Sequence, residues 1–282
     1  MQILPLTQAI AAHVHDGQSI ALEGFTHLIP FAAAHEIIRQ QRRNLHLIRM
    51  TPDLVYDQLI GMGCAERLTF SWGGNPGVGA LHRLRDAVER QWPHPLALSE
   101  LTHAEMAVAY QAGASGLPCG LMRHYASSDL TRVSGAHLKT LRCPFTDAAL
   151  AAVPAINPDV TILHAQQIDA AGNVLIRGIV GAAKEAAMAA RCVLVTVEEQ
   201  VETLRADLNA IVLPSWVVDA ASIVPGGAHP SYAQGYYARD NAFYRAWDEI
   251  ARDRATFAGW MQRHVLGVHD HAELLRSLGV AA

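Results

Sequence analysis

Apolar positions along this chain follow two rhythms. Short unbroken apolar runs alternate with stretches whose apolar residues recur every three or four positions. The first rhythm reads as strands buried on both faces of a parallel sheet, the second as helices lying on it. The pattern predicts strands over 19–22, 44–50, 67–72, 95–99, 160–165, 174–176 and 192–197, and helices over 8–15, 32–42, 51–62, 80–91, 104–112 and 182–190. A turn rich in glycine leads to residues 119–123 and a polar loop over 124–129. Strands alternating with helices mean βαβ units, so the fold class is α/β: an open, mostly parallel sheet with flanking helices. Beyond the glycine-rich loop at 224–230, Phe243, Trp247, Ile250, Phe257 and Trp260 fall near a 3.6-residue period and predict one or two amphipathic helices. The expected organisation is one α/β unit over 1–240 with a helical extension, 241–282, packed on it.

The chemistry gathers where strands end. Residues 20–39 read as a buried strand, a tight turn and a helix opened by Pro30. Gly24 can take backbone angles closed to other residues and lets a ligand approach the main chain. Ligands of open α/β sheets collect at the carboxyl ends of strands, where Glu23, Gly24, Phe25, Thr26 and His27 stand. Ser71 to Asn75, with Gly73 and Gly74, end another strand and open a glycine loop that runs to Gly79; Glu100 and His103 end a third. The three loops can converge on one cleft. The glycine loop would offer backbone N–H groups to an anion or a developing oxyanion. Glu100 could act as acid or base if partial burial raises its pKa, and His27 or His103 could orient a carboxylate or carbonyl. The competing reading makes Glu100 the cap of the helix near Thr102 and leaves the histidines hydrogen-bonded at the sheet edge. Glu198 and Glu199 read as a solvated edge or an interface feature.

Composition narrows the classes. Of 282 residues, 51% are hydrophobic and 17% charged, which leaves apolar surface to spare for a partner chain. A net charge of -4 gives no footprint for nucleic acid, and no polybasic membrane segment occurs. The four cysteines, Cys64, Cys119, Cys143 and Cys192, are scattered and read as reduced thiols of a cytoplasmic protein. The first residues lack a basic segment and an uninterrupted apolar core, so no signal peptide is expected; no apolar run approaches the ~18 residues of a membrane span. Gly77-Val78-Gly79-Ala80-Leu81-His82 lacks the third glycine of a dinucleotide fingerprint, and no P-loop or G-x-S-x-G elbow is present. His35-Glu36-Ile37-Ile38-Arg39 carries Arg where a zincin has its second His. His264, His269 and His271 read as a solvated tail, and no metal is expected.

Longer strings carry a resemblance. Glu23-Gly24-Phe25-Thr26-His27-Leu28-Ile29-Pro30, Arg49-Met50-Thr51-Pro52-Asp53-Leu54 and Ser71-Trp72-Gly73-Gly74-Asn75-Pro76-Gly77-Val78-Gly79 resemble the A (alpha) subunits of class I CoA-transferases. So do residues 159–166, 195–199 and 225–232. The glutaconate and 3-oxoadipate type is the match, and it covers nearly the whole chain. The resemblance implies a heteromer of A and B chains, heterodimer or heterotetramer, with no tightly bound cofactor and a coenzyme A thioester as substrate.

It also implies a ping-pong exchange that moves CoA from succinyl-CoA to 3-oxoadipate or a similar dicarboxylic acid. A glutamate attacks the thioester to give an acyl-glutamyl anhydride; the CoA thiolate returns to form a glutamyl-CoA thioester, and the acceptor acid completes the exchange. That nucleophile belongs to the B subunit in heteromeric members, so Glu23 is expected to support the pocket rather than attack. Related hydrolases open the last steroid ring of a CoA thioester with an A-subunit glutamate that Glu100 matches by motif. Here Ser99 and Leu101 depart from the commoner Glu-Glu-His-Ser-His form. Hydrolysis and a stand-alone ligand-binding module on the same fold are the alternatives.

Overall fold

The computed structural model describes residues 1–75, 77–123 and 138–280. Pro76 and the polar loop expected over 124–129 lie outside the described residues. The first half of the chain runs β1 (Gln2–Ile3), α1 (Leu6–His13), β2 (Ser19–Leu22), α2 (Phe31–Arg39), β3 (Leu45–Ile48), α3 (Leu54–Gly61), β4 (Ala65–Phe70), α4 (His82–Arg90), β5 (Ala97–Glu100) and α5 (His103–Ala114). Next come β6 (Cys119–Met122), β7 (Lys139–Arg142) and β8 (Ala149–Pro154), a separate antiparallel sheet in the order β6-β8-β7. The chain re-enters the main sheet with β9 (Val160–Asp169), β10 (Val174–Arg177), α6 (Ala183–Ala189), β11 (Cys192–Val201), β12 (Ala210–Leu213) and β13 (Ala220–Ile223). The tail folds as α7 (Asn241–Arg252), α8 (Arg254–Met261), a π-helical turn over Gln262–Leu266, and α9 (His271–Ser277).

Main-sheet strands follow the order β1-β13-β11-β9-β2-β3-β4-β5, with every neighbouring pair on this path parallel. β10 and β12 add an antiparallel extension beside β9. The chain builds outward from β2 to β5 on one side and from β9 to β13 on the other. The order therefore reverses between β2 and β9, where an open α/β sheet leaves a crevice.

Successive residues of a strand face opposite sides, and both sides here are apolar. Ile20, Leu22, Leu45 and Leu47 join α1 to α3 and the C-terminal helices in one core. Ala21 and Ile48 face Met106 and Tyr110 of α5 and Ala186 and Ala189 of α6. Tyr244, Trp247, Phe257 and Met261 of the tail are buried in the first of these cores. Trp247 Nε1 donates to Asp57 Oδ2 (3.3 Å), while Asp57 Oδ1 accepts from the N–H groups of Arg83 (2.8 Å) and Leu84 (2.9 Å). Asp57 thus caps α4 from a neighbouring helix and anchors the tail. Burial pushes its carboxyl up to about 6 despite those donors.

Three expectations change. The first helix runs from Leu6 to His13, so it starts and ends two residues earlier than the expected 8–15. β9 and β11 run past their apolar segments, pairing Glu199 with Gln167 and Val201 with Asp169, so Glu198 and Glu199 sit within a strand. His271 is no solvated residue: it is buried, with Nε2 2.8 Å from the Gly226 carbonyl. Among the described residues no group of three His, Cys, Asp or Glu could hold a metal ion, and no helix is long and apolar enough to cross a membrane.

Candidate functional site

The turn after β2 is forced into an uncommon path. Gly24, Thr26 and Leu28 all have positive φ, at 155°, 57° and 53°. A Cβ on Gly24 would lie 2.8 Å from the carbonyl oxygens of His27 and Leu28, so only glycine fits. The turn is held from outside by residues far along the chain. Leu28 N–H donates to Tyr232 O, Ser231 Oγ to Thr26 O, and Gln234 N–H to His27 Nε2 (3.0 Å). With Nε2 accepting, His27 carries its proton on Nδ1, which lies 3.3 Å from the Ile179 carbonyl. Burial keeps that imidazole below its ordinary pKa.

Beneath the turn lies a buried polar set. Glu23 is 4% exposed, and its Oε1 accepts from Tyr110 Oη at 2.8 Å. Burial pushes its carboxyl up; the Arg49 charge and the Tyr110 hydrogen bond oppose that without cancelling it. Arg49 bonds both oxygens of Asp53 (3.1 and 3.3 Å) and donates from Nη2 to the Gly24 carbonyl (2.6 Å). Burial works against the guanidinium charge, and Asp53, Tyr56 and Glu23 more than offset it. Asp53 also caps α3 through Val55 N–H.

Above this floor opens a cleft of about 530 Å³, lined by Phe25, Met50, Gln111, Ile179 and Glu185 among others. It lies against the carboxyl ends of β2 and β3, between α5 and α6. His103, Ala107 and Gln111 fall four residues apart on α5 and share a face, so His103 stands at the end of the stripe that lines the cleft. Its Nδ1 is 3.1 Å from Ser71 Oγ, which donates to the Met50 carbonyl at 2.6 Å. The ends of β4 and β5 therefore meet, beside a cleft-lining residue. Glu100 pairs with Phe70 across those strands, next to Ser71.

The sequence-predicted residues divide accordingly. Phe25 lines the cleft, Gly24 shapes its turn, and Ser71 and His103 stand beside it. Thr26 and His27 sit behind the wall. Asn75 is buried, and its amide donates to the Tyr244 carbonyl. Gly74 makes room for the Trp72 ring, 2.6 Å from where a Cβ would stand, while at Gly73 a Cβ would make only ordinary contact. The glycine loop does not present a row of free donors: the N–H groups of Ser71, Trp72, Gly74, Asn75, Val78 and Gly79 all donate to backbone carbonyls. Glu100 is exposed, so the partial burial on which an acid or base role depends is not met within this chain. It is not the helix cap either. Thr102 caps α5, accepting from Glu105 N–H (3.1 Å), and the Glu105 carboxylate accepts in return from Thr102 N–H.

One buried group overturns its sequence reading. Glu198 is 6% exposed, so it is not solvated, whereas Glu199 beside it is exposed as expected. Oε1 accepts from His164 Nε2 and Tyr237 Oη, each at 2.6 Å, and Oε2 from Gly226 N–H at 2.8 Å. Burial alone would raise this carboxyl, but those hydrogen bonds and His164 hold it below its ordinary value. Glu198 lines a second cavity of about 380 Å³ with Glu199, Pro225, His229, Tyr236 and Leu275. Both of its oxygens are already engaged, so this carboxylate locks the 225–237 segment that supports the Gly24 turn. It is poorly placed to attack or to take a proton.

Comparison with known proteins agrees with the geometry. The A chain of 3-oxoadipate CoA-transferase from Pseudomonas knackmussii is 59% identical over 272 residues, 96% of each chain. The A chain of glutaconate CoA-transferase from Acidaminococcus fermentans is 32% identical over 99% of this chain and 92% of its own. The crystal structure of the glutaconate coenzyme A-transferase from that organism superposes with a TM-score of 0.90 at 30% identity, covering 99% of this chain and 93% of that one. The coenzyme A transferase family model matches residues 4–222, and the chain belongs to that family.

Proposed function

We propose that this chain is the A subunit of a heteromeric CoA-transferase that moves CoA from succinyl-CoA to 3-oxoadipate or a similar dicarboxylic acid in the cytoplasm. Near-full-length identity of 59% to the A chain of a 3-oxoadipate CoA-transferase carries the reading. The cleft beside Phe25 supports it, being largely apolar with few polar groups at its edge. In this reading the cleft takes part of the acyl-CoA thioester. Gly24 and Phe25 form one wall, with Thr26 and His27 fixing it from behind. Ser71, His103 and Gln111 stand where they can hold a carboxylate or carbonyl oxygen, and Gly73, Gly74 and Asn75 keep the loop after β4 folded beside them. The nucleophilic glutamate comes from the partner B chain. Docking of that chain desolvates Glu100, which then acts as acid or base or positions the acceptor acid.

The test is exchange by the reconstituted pair. Succinyl-CoA and 3-oxoadipate should yield the acceptor thioester only when both chains and the acceptor are present. Free CoA released without acceptor would replace transfer with hydrolysis, and full activity of this chain alone would remove the B chain from the scheme. Glu100→Ala should lower turnover by about tenfold or more with the fold intact, because Thr102, not Glu100, caps α5.

A further inference from the structure

The groups that hold Glu23 share one relation to the cleft. Gly24 precedes Phe25, Arg49 precedes Met50, and Tyr110 precedes Gln111; the second residue of each pair lines the cleft. Arg49 grips the Gly24 carbonyl, Tyr110 donates to Glu23, and Glu23 faces the Arg49 charge. A single buried carboxyl group therefore connects the ends of β2 and β3 to α5, directly under three walls.

We propose that Glu23 is a positioning residue of the thioester cleft, holding the walls that carry Phe25, Met50 and Gln111 in register through Tyr110 and Arg49. The inference rests on the transferase reading for the identity of the ligand. Charge explains why the device is adjustable. Arg49 supplies one positive charge to two buried carboxyl groups, and Asp53 already engages both terminal nitrogens, Nη1 and Nη2. Tyr56, Tyr110 and Tyr244 are the other titratable groups against this set, and the Arg239 charge acts on Asp53. Burial favours the neutral form of Glu23. When Glu23 ionises, a second anion competes for Arg49, and the competition bears on the bond to the Gly24 carbonyl and so on the turn that carries Phe25.

Glu23→Gln keeps the shape and the acceptor for Tyr110 but cannot ionise; Tyr110→Phe removes the donor and leaves the carboxyl. The reconstituted heteromer of each variant should keep its melting temperature within a few degrees while kcat/KM for the acyl-CoA falls about tenfold. The double variant should be no worse than the weaker single by more than about twofold, since both act through the one Tyr110–Glu23–Arg49 connection. Glu23→Gln should also change the shape of the kcat/KM profile against pH, which a purely structural role would leave alone. Values within about twofold of wild type at every pH, or losses that track melting temperature, would overturn the proposal. Should Glu23→Gln fail to fold, Tyr110→Phe and its rescue by added thioester carry the same decision. If the wild-type pair exchanges no CoA, the proposed function falls. The positioning role is then decided by calorimetric binding of succinyl-CoA, about tenfold weaker in the variants if it holds and unchanged if it does not.

Discussion

Glu23 and Glu198 lie on opposite sides of the point where the strand order reverses, Glu23 just beyond β2 and Glu198 within β11. Each is almost fully enclosed, at 4% and 6% exposure, yet their carboxyl groups are pushed in opposite directions. Glu198 collects an imidazole, a phenol and a backbone N–H within 2.8 Å. Glu23 has the Tyr110 phenol, lesser backbone contributions from Gly24 and Met50, and only a share of Arg49. Burial alone does not decide what a carboxylate can do; how strongly its neighbours hold the charged form does. A saturated carboxylate fixes a loop, whereas an undersupplied one can change state beneath a cleft.

The largest expected effect breaks this contrast at its stronger end. Glu198→Ala leaves His164 Nε2, Tyr237 Oη and the Gly226 N–H without their acceptor in a buried setting. The loss should be about 3–5 kcal/mol of unfolding free energy in urea titrations. Glu23→Ala strands one phenol and opens a small void, and should cost about 2 kcal/mol. Equal costs for the two would show that the strength of the hydrogen bonds to each carboxylate is not what separates them.

The slope of stability with pH gives a finer contrast. Both groups have an ordinary value of 4.5. Glu198 is held below it, so its contribution is present above that value and lost as pH falls through the folded pKa. Glu23 is raised, so its contribution is present below 4.5 and lost as pH rises through the folded pKa. Unfolding free energies of the Gln variants minus wild type, taken near pH 4 and pH 7, should therefore move oppositely. Glu23→Gln gains on wild type as pH rises, and Glu198→Gln gains as it falls. The change is ~1.4 kcal/mol for each factor of ten between the folded and unfolded acid dissociation constants. Slopes of the same sign would defeat the comparison.

What the sequence conveys and what it hides follow the same physics. Runs such as Ile20-Ala21-Leu22 announce a strand covered on both sides, and Gly24 with Pro30 announces the turn and helix after it, because those signals are local. Glu198 reads as solvated because its donors lie 28, 34 and 39 residues away in sequence, the imidazole reaching it through the register that sets Thr196 beside His164. The glycine loop misleads for a related reason. Its glycines suggest free N–H groups, but the bridge between Asn75 and Gly79 turns the loop back on itself. Glu100 is exposed because β5 is the edge strand, a consequence of strand order that local composition does not carry. Arg49 lies within one of the strings that carry the family resemblance, though nothing nearby marks it as the ion that joins Gly24 to Asp53. Tyr110 has no sequence signal at all.

The smallest expected effect isolates burial from bond length. Tyr236 and Tyr237 are adjacent in sequence, and each donates to a glutamate of β11 at 2.6 Å, Tyr236 to Glu199 and Tyr237 to Glu198. Glu199 is exposed and also accepts from Gln167 Nε2 at 2.7 Å, so water can replace a lost phenol. Tyr236→Phe should cost less than about 0.5 kcal/mol in thermal or urea unfolding, because an exposed hydrogen bond exchanges with solvent at little loss. Tyr237→Phe removes a donor from a carboxylate that is almost fully buried and should cost about 1.5–3 kcal/mol. Matching losses would mean that the short bond itself, not the burial of Glu198, sets the strength of the lock.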